Sequence, residues 1–370
     1  MKTIKSKSVK RKSKPKKSES KPMEPMDMPL PPREQMLGML GIADLHAVSI
    51  LSEANAIAVR MAQRKYPQVC IRINVRHGTR IRLYKYPIKE NDTFEFEWCI
   101  PRKAPKKSAK SVWSLGGMDV MTSKLESRRY YTAIPCRGKR NETVNAIISH
   151  ILFIFPRCIV EELRVFLYDT VLRPEIALQA ITQAESVKLE HVDLWGHSLK
   201  ILQKIEITKS YINESFVYVG RRPTVDNIHC TDVFETEDAT WIDPEKLLTL
   251  NCRRIRINKT RFRKEHLMAF LHHWQSAPID QIGRIREVII CHPFGVGRLD
   301  FEKLDAQPYD SRTSRLFERH ECKDLHQYSS EFSYTIWRED GIFATVEQYA
   351  ETTMTFSVWH RKPTQDEDQN

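Results

Sequence analysis

The chain has 370 residues, 41 % of them hydrophobic, which is enough for a large core and for more than one domain. Its formal charge of +12 is uneven, because residues 1–21 hold ten Lys or Arg and one Glu, leaving only +3 for the rest. A basic tail on a nearly neutral body does not imply a nucleic-acid groove in the folded part, so specific nucleic-acid recognition is not expected.

No apolar run is long enough to span a membrane; the best, IISHILFIFP at 147–156, is short and contains His150. No apolar signal segment follows the basic N-terminus. The eight cysteines are dispersed and no CxxC occurs, which argues against a disulfide scaffold or a cysteine-rich zinc site. An intracellular setting, nucleus and/or cytoplasm, fits best.

In chain order, residues 1–27 read as a disordered basic tail. Within it, VKRKSKPKK at 9–17 has the composition of a nuclear localisation patch and equally of a solvated lysine tail. Residues 28–64 read as a short helical module. Leu37 and Leu40 lie three apart on one helical face, and Leu45 opens a second run whose Val48 and Leu51 fall near the same stripe. Residues 65–127 read as a strand-containing connector, with strands expected at QVCIRINV (68–75) and FEFEW (94–98) and an exposed loop at 102–110. A second body is expected over 128–360, and 361–370 should fray.

Within that body one spacing recurs, L-x-x-L-x-L. It is carried by Val160/Leu163/Val165, Ala184/Val187/Leu189, Leu202/Ile205/Ile207, Cys252/Ile255/Ile257 and Ile285/Val288/Ile290. A gap of 50 residues leaves room for a further unit near 225–234. Residues two apart on a strand share a face, and stacked strand–helix units bury what one unit alone cannot.

Cys252 stands where other repeats carry an aliphatic residue, so it reads as a small buried hydrophobe. Leu267, Phe270, Leu271 and Trp274 then form one helical face. His266 and His273 share a neighbouring stripe about 10 Å apart along the axis, too far for one compact metal site. No metal and no cofactor is expected.

The segment 332–360 alternates as three strands: Phe332/Tyr334/Ile336, Ile342/Ala344/Val346 and Phe356/Val358. Asp340–Gly341 is a hairpin turn, glycine allowing positive φ. These strands would cover the open end of the repeats. Trp337 and Trp359 fall on the opposite phase. They are either exposed anchors for a protein substrate or buried by a sheet packed on both faces.

No phosphate-binding glycine loop, zinc-protease helix, nucleophile elbow or kinase signature is present. Cys322 and His326 lack a third orienting group. The chain is therefore not expected to be an enzyme, nor to take a small-molecule substrate.

Two segments together resemble a known family. LLTLNCRRIRINKTRFRKEHLMAFLHHW (247–274) is similar to the core of the nematode type-2 F-box-associated domain. IWREDGIFATVEQYAETTMTFSVW (336–359) is similar to its C-terminal signature, through Arg338, Asp340, Gly341 and Trp359. MPLPPREQMLGMLGIADLHAVSILSEANAIAV (28–59) resembles an F-box, with Leu30–Pro31 at its opening, Leu37 and Leu40 on the first helix and Asp44–Leu45 introducing the next. It departs from the pattern at Pro32, at Gly38 and Gly41, and in lacking a later basic element.

The resemblance implies an α/β chain with three parts: a short helical F-box-like module, an irregular leucine-rich-repeat-like strand–helix body and a small C-terminal antiparallel sheet. It implies a substrate-recruiting subunit of a Skp–cullin–F-box ubiquitin ligase. Leu30, Pro31, Leu37, Leu40 and Leu45 would contact a Skp-type adaptor and, through it, a cullin. The body would bind a protein substrate. The alternative is a repeat-type interaction protein that has lost adaptor binding.

Overall fold

The structure, a computed structural model, describes residues 35–62, 68–76, 78–89, 92–102, 111–115, 117–124, 130–135, 139–166, 173–190, 194–195, 203–214, 218–219, 228–310, 317–319 and 332–361. The basic tail, the 103–110 loop, Cys322, His326 and the last nine residues lie outside them.

A helical turn at 35–38 leads into α1 (Ile42–Ser49) and α2 (Glu53–Ala62). Six strands follow: β1 (Val69–Val75), β2 (Thr79–Lys85), β3 (Phe96–Ile100), β4 (Ser111–Leu115), β5 (Met118–Lys124) and β6 (Tyr130–Ile134). Helix α3 (Arg140–Ile154) then crosses to β7 (Ile159–Phe166), α4 (Pro174–Ala177), β8 (Gln183–Glu190), β9 (Leu194–Trp195), β10 (Glu206–Asn213) and β11 (Tyr218–Val219).

The chain continues through β12 (Val233–Thr236), α5 (Pro244–Thr249), β13 (Arg254–Ile257), α6 (Lys264–Ser276), α7 (Ile279–Ile282) and β14 (Glu287–Cys291). It ends in β15 (Gln307–Pro308), β16 (Phe317–Arg319), β17 (Ser333–Trp337), β18 (Phe343–Tyr349) and β19 (Thr353–Arg361).

Seventeen of these strands form one mixed sheet. Its middle is a parallel run, β1-β7-β8-β10-β12-β13-β14. On one side β1 pairs antiparallel with β2, and β2 with β3. On the other, β14 pairs antiparallel with β19, followed by β18 and β17. The fold is thus α/β with few helices. Among the described residues the crossovers of the parallel run carry two long helices, α3 before β7 and α6 before β14, while α4 and α5 have four and six residues.

Four expectations are refined. Residues 65–127 do more than connect: they supply β1–β5 to the common sheet, and a boundary at 127/128 falls between β5 and β6, which pair with each other. The strand placed on 202–207 begins at Glu206, with Ile205 and Ile207 buried. The strand read at 94–98 runs from Phe96 to Ile100. The gap near 225–234 holds β12, between β10 and β13.

Helices α1 and α2 dock on the sheet. The His46 ring is fully buried among Phe96, Trp98 and Tyr131, with centroids at 4.5, 5.7 and 5.7 Å. Trp98 Nε1–H donates to His46 Nε2 at 3.2 Å. Ser49 Oγ donates to the His46 carbonyl at 2.7 Å, so His150 Nε2–H donates to Ser49 Oγ at 2.9 Å, tying α1 to α3. Burial holds both imidazoles below the usual histidine pKa. For His46 the neighbouring His150 adds to the effect of burial; His150 is lowered to about 4.

Candidate functional site

The parallel run sorts its side chains into two faces because successive residues point to opposite sides of a strand. One face is core. Ile73, Leu163, Val187, Tyr211, Phe234, Ile255, Val288 and Phe356 stand side by side in continuous register, all buried. Cys252 is buried just before β13, its thiol on the Cys230 carbonyl at 3.0 Å, which is a packing position. Helix α6 covers this face with Leu267, Phe270, Leu271 and Trp274; Phe270 and Trp274 meet Phe356 edge-on at 5.6 and 5.0 Å.

The other face is open. One row across it reads Arg72, Glu162, Ser186, Ser210, Val233, Arg254 and Glu287; the next reads Asn74, Arg164, Lys188, Ile212, Glu235, Arg256 and Ile289. Most of these side chains are partly exposed, and Arg254 is the most exposed among them. They form a lattice of ion pairs, including Arg164–Glu162 at 3.0 Å, Lys188–Glu214 at 2.7 Å, Arg254–Glu287 at 3.4 Å and Arg256–Glu235 at 4.0 Å. Such pairs contribute at most about 1 kcal/mol each. Together they make a broad charged surface with apolar patches at Val233, Ile212 and Ile289, mounted on paired strands.

A cleft of about 320 Å³ opens beside β7 and β8, lined by Cys158, Thr182, Glu185 and Thr208 among others. Burial pushes the Cys158 thiol far above its ordinary pKa, with Cys70 adding to this, so it is no thiolate nucleophile. Among the described residues no group of three or more His, Cys, Asp or Glu is placed to hold a metal. His266 instead receives the Arg263 backbone N–H on Nδ1 at 3.0 Å, at the start of α6.

The two candidate anchors separate. Trp337, Phe343 and Trp359 form a row across β17, β18 and β19. Trp337 is 40 % exposed, but Trp359 is only 6 % exposed. The Trp359 ring stacks on Phe343 at 5.9 Å and its indole N–H donates to Thr345 Oγ1 at 2.8 Å. β18 is buried on both faces, so Trp359 is packed into the sheet and is no surface anchor.

Arg338 follows Trp337. Its guanidinium donates to the carbonyl of Trp274 and, at 3.0 Å, to that of Ala277, satisfying the C-terminal end of α6. It lies 5.5 Å from the Trp274 ring centroid and pairs with Asp340 at 3.0 Å. Burial opposes ionisation of Asp340, but the bonds from Arg338 and from the Ile342 N–H prevail and hold its carboxyl below the usual range. Gly341 supplies the φ of +82° that the turn requires.

Of the expected adaptor contacts, Leu30 and Pro31 lie outside the described residues. Leu37 and Leu45 are 1 % and 3 % exposed, part of the chain's own core, and Leu40 is half-buried. The apolar residues that the helical module does present are Met39, Leu51, Ile57 and Met61. Ile57 and Met61 are four apart on α2, a spacing visible in the sequence but masked by the alanines and asparagine around it.

Residues 223–278 match a protein-family model described as F-box associated. The match takes in β12, α5, β13 and α6, the helix that carries Trp274. No curated protein and no solved structure matches the chain.

Proposed function

We propose that the chain is a non-catalytic, substrate-recruiting subunit of a Skp–cullin–F-box ubiquitin ligase. The carrying observation is that the F-box-associated match lies on the ladder whose opposite face is open and charged. On this reading the ladder is a leucine-rich-repeat-like body and its open face, with Trp337 beside it, takes a protein substrate. Helices α1 and α2 are the F-box-like module. Ubiquitin transfer is then speeded by tethering, which raises the substrate's effective concentration next to a separate enzyme.

The adaptor surface is Met39, Leu51, Ile57 and Met61, with Leu30, Pro31 and Leu40 in support. Leu37 and Leu45 act from below, fixing the helices. The test is co-purification with a recombinant Skp-type adaptor. Wild type should bind it, and Ile57→Asp/Met61→Asp should not, with an unchanged circular-dichroism melt. A folded wild-type chain that binds no Skp-type adaptor would refute the ligase reading. The interaction-only reading would then stand; the burial of Leu37 and Leu45 in the chain's own core already favours it to that extent.

A further inference from the structure

Several sheet arginines are neutralised by a carboxylate: Arg72 by Glu161, Arg82 by Glu97, Arg254 by Glu287 and Arg256 by Glu235. Arg253 and Arg286 form no ion pair among the described residues. They are neighbours on adjacent strands, immediately before β13 and β14. The Arg253 carbonyl accepts both the Arg286 N–H, at 2.9 Å, and the Glu287 N–H, at 3.2 Å.

The preceding residues, Cys252 and Ile285, are buried, and the following pair, Arg254 and Glu287, stands on the open face. The two arginines therefore sit at the rim where core turns to open face. Arg253 is exposed and Arg286 half-buried. Burial and the charge of Arg253 both work against the Arg286 cation. Glu287, the residue after Arg286, is 7 % exposed and already engaged by Arg254.

Two like charges side by side, one of them partly desolvated, are unfavourable unless something of opposite sign completes them. A dianion with three acceptor oxygens answers both charges and both donor forks; a single carboxylate answers one. Beside Arg286 lies a shallow cleft of about 10 Å³, lined also by exposed Ile279 and by Ile342. It encloses nothing larger than a water, so the ligand is a group carried on a segment laid across the rim.

We propose that Arg253 and Arg286 form a phosphate-reading pair that binds a phosphoserine or phosphothreonine in an extended protein segment, with an apolar neighbour resting on Ile279. The proposal rests on the ladder being the substrate-binding half of the protein.

The test uses the purified full chain and fluorescent peptide pools, degenerate except for a central phosphoserine, serine or glutamate, read by fluorescence polarisation. Wild type should bind the phosphoserine pool at least tenfold more tightly than the other two. R253Q/R286Q should abolish that preference, and R261Q/R263Q, exposed on the neighbouring connection, should keep it. Equal binding of the three pools by wild type overturns the proposal, and so does a preference that survives R253Q/R286Q. Displacement of the phosphopeptide by a single-stranded oligonucleotide of equal charge, with the same dependence on both arginines, also overturns it, in favour of a nucleic-acid site.

Relief of like-charge contact predicts that R286Q melts no lower than wild type. If the double variant does melt lower, R253Q alone decides. Its side chain is exposed, and at least a threefold loss of preference supports the proposal while no loss overturns it. No adaptor is present in this assay. Lost phosphate selectivity in a chain that still co-purifies with the adaptor overturns this inference alone. Selectivity without adaptor binding supports it and leaves the ligase reading to fall separately.

Discussion

Arg338 and Trp274, far apart in sequence, form one unit: the guanidinium sits 5.5 Å from the indole centroid and donates to the carbonyl of the same tryptophan. The unit joins the end of α6 to the β17–β18 turn. It gives a physical reason for arginine, aspartate and glycine within one hairpin: arginine satisfies the helix end, aspartate orients the arginine, and glycine makes the turn. Arg338→Ala should cost about 2–4 kcal/mol, since charge-assisted hydrogen bonds to two carbonyls are lost together. Arg338→Lys should recover less than half, because an ammonium lacks the planar fork. Urea melts of the three proteins check this, and an Arg338→Ala variant as stable as wild type would refute it.

Stability should fall as pH drops from neutral. His46 and His150 are buried and neutral, with folded pKa values below the unfolded value of about 6.5. The unfolded chain therefore takes up protons first. The stabilisation is complete above about pH 6.5 and drains away toward the folded value, about 4 for His150. Melting temperatures of wild type and His46→Gln/His150→Gln should diverge at pH 7 and converge toward pH 4.5; parallel curves would contradict the assignment.

The two faces of β13 should respond oppositely. Ile257→Ala should cost about 2–5 kcal/mol, as for a fully buried aliphatic residue. Arg256→Ala should stay within about 0.5 kcal/mol, its partner Glu235 being 4.0 Å away and partly exposed. Arg254→Ala is intermediate, at about 1–2 kcal/mol, because it strands the buried Glu287 carboxylate. Denaturant melts decide, and a neutral Ile257→Ala would mean the faces are reversed.

Leu45→Asp should unfold more than the helices. The side chain is buried in the common core beside His46, so an unpaired carboxylate there disrupts the β2–β6 region too. Near-ultraviolet circular dichroism of the tryptophan-rich β3–β4 region should collapse in this variant and persist in Ile57→Asp/Met61→Asp. Retention of that signal in Leu45→Asp would show that α1 can detach from the sheet.

Much of the ladder was legible because its signal is local. The spacing of Leu163/Val165, Val187/Leu189, Ile255/Ile257 and Val288/Ile290 fixes which side chains share a face, and each pair is buried. The open-face residues were legible for the same reason, as the residues lying between, though their ion pairs were not. Long-range pairing carries no such signal: nothing in QVCIRINV says that β1 runs parallel to β7. Nor does alternation tell Trp337 from Trp359. Both share a phase, and what separates them is that one faces solvent while the other lies against Phe343 and Thr345. That Leu37 and Leu45 lie in the chain's own core was not legible, because a helical stripe reads the same whether it meets a partner protein or the chain's own sheet.

Strand β1 hydrogen-bonds on one edge to β2 and on the other to β7, so the sheet beneath α1 and α2 passes into the ladder without a linker. From β1 to β14 there are six inter-strand steps, on the order of 30 Å at parallel-strand spacing. A molecule engaged on the ladder and another engaged by the helices would be kept apart by a fixed ruler of backbone hydrogen bonds. The reach of the assembly is then set by how many strands are stacked. A strand inserted or deleted would change that reach in increments of about 4.8 Å, where lengthening a flexible tether would only dilute it.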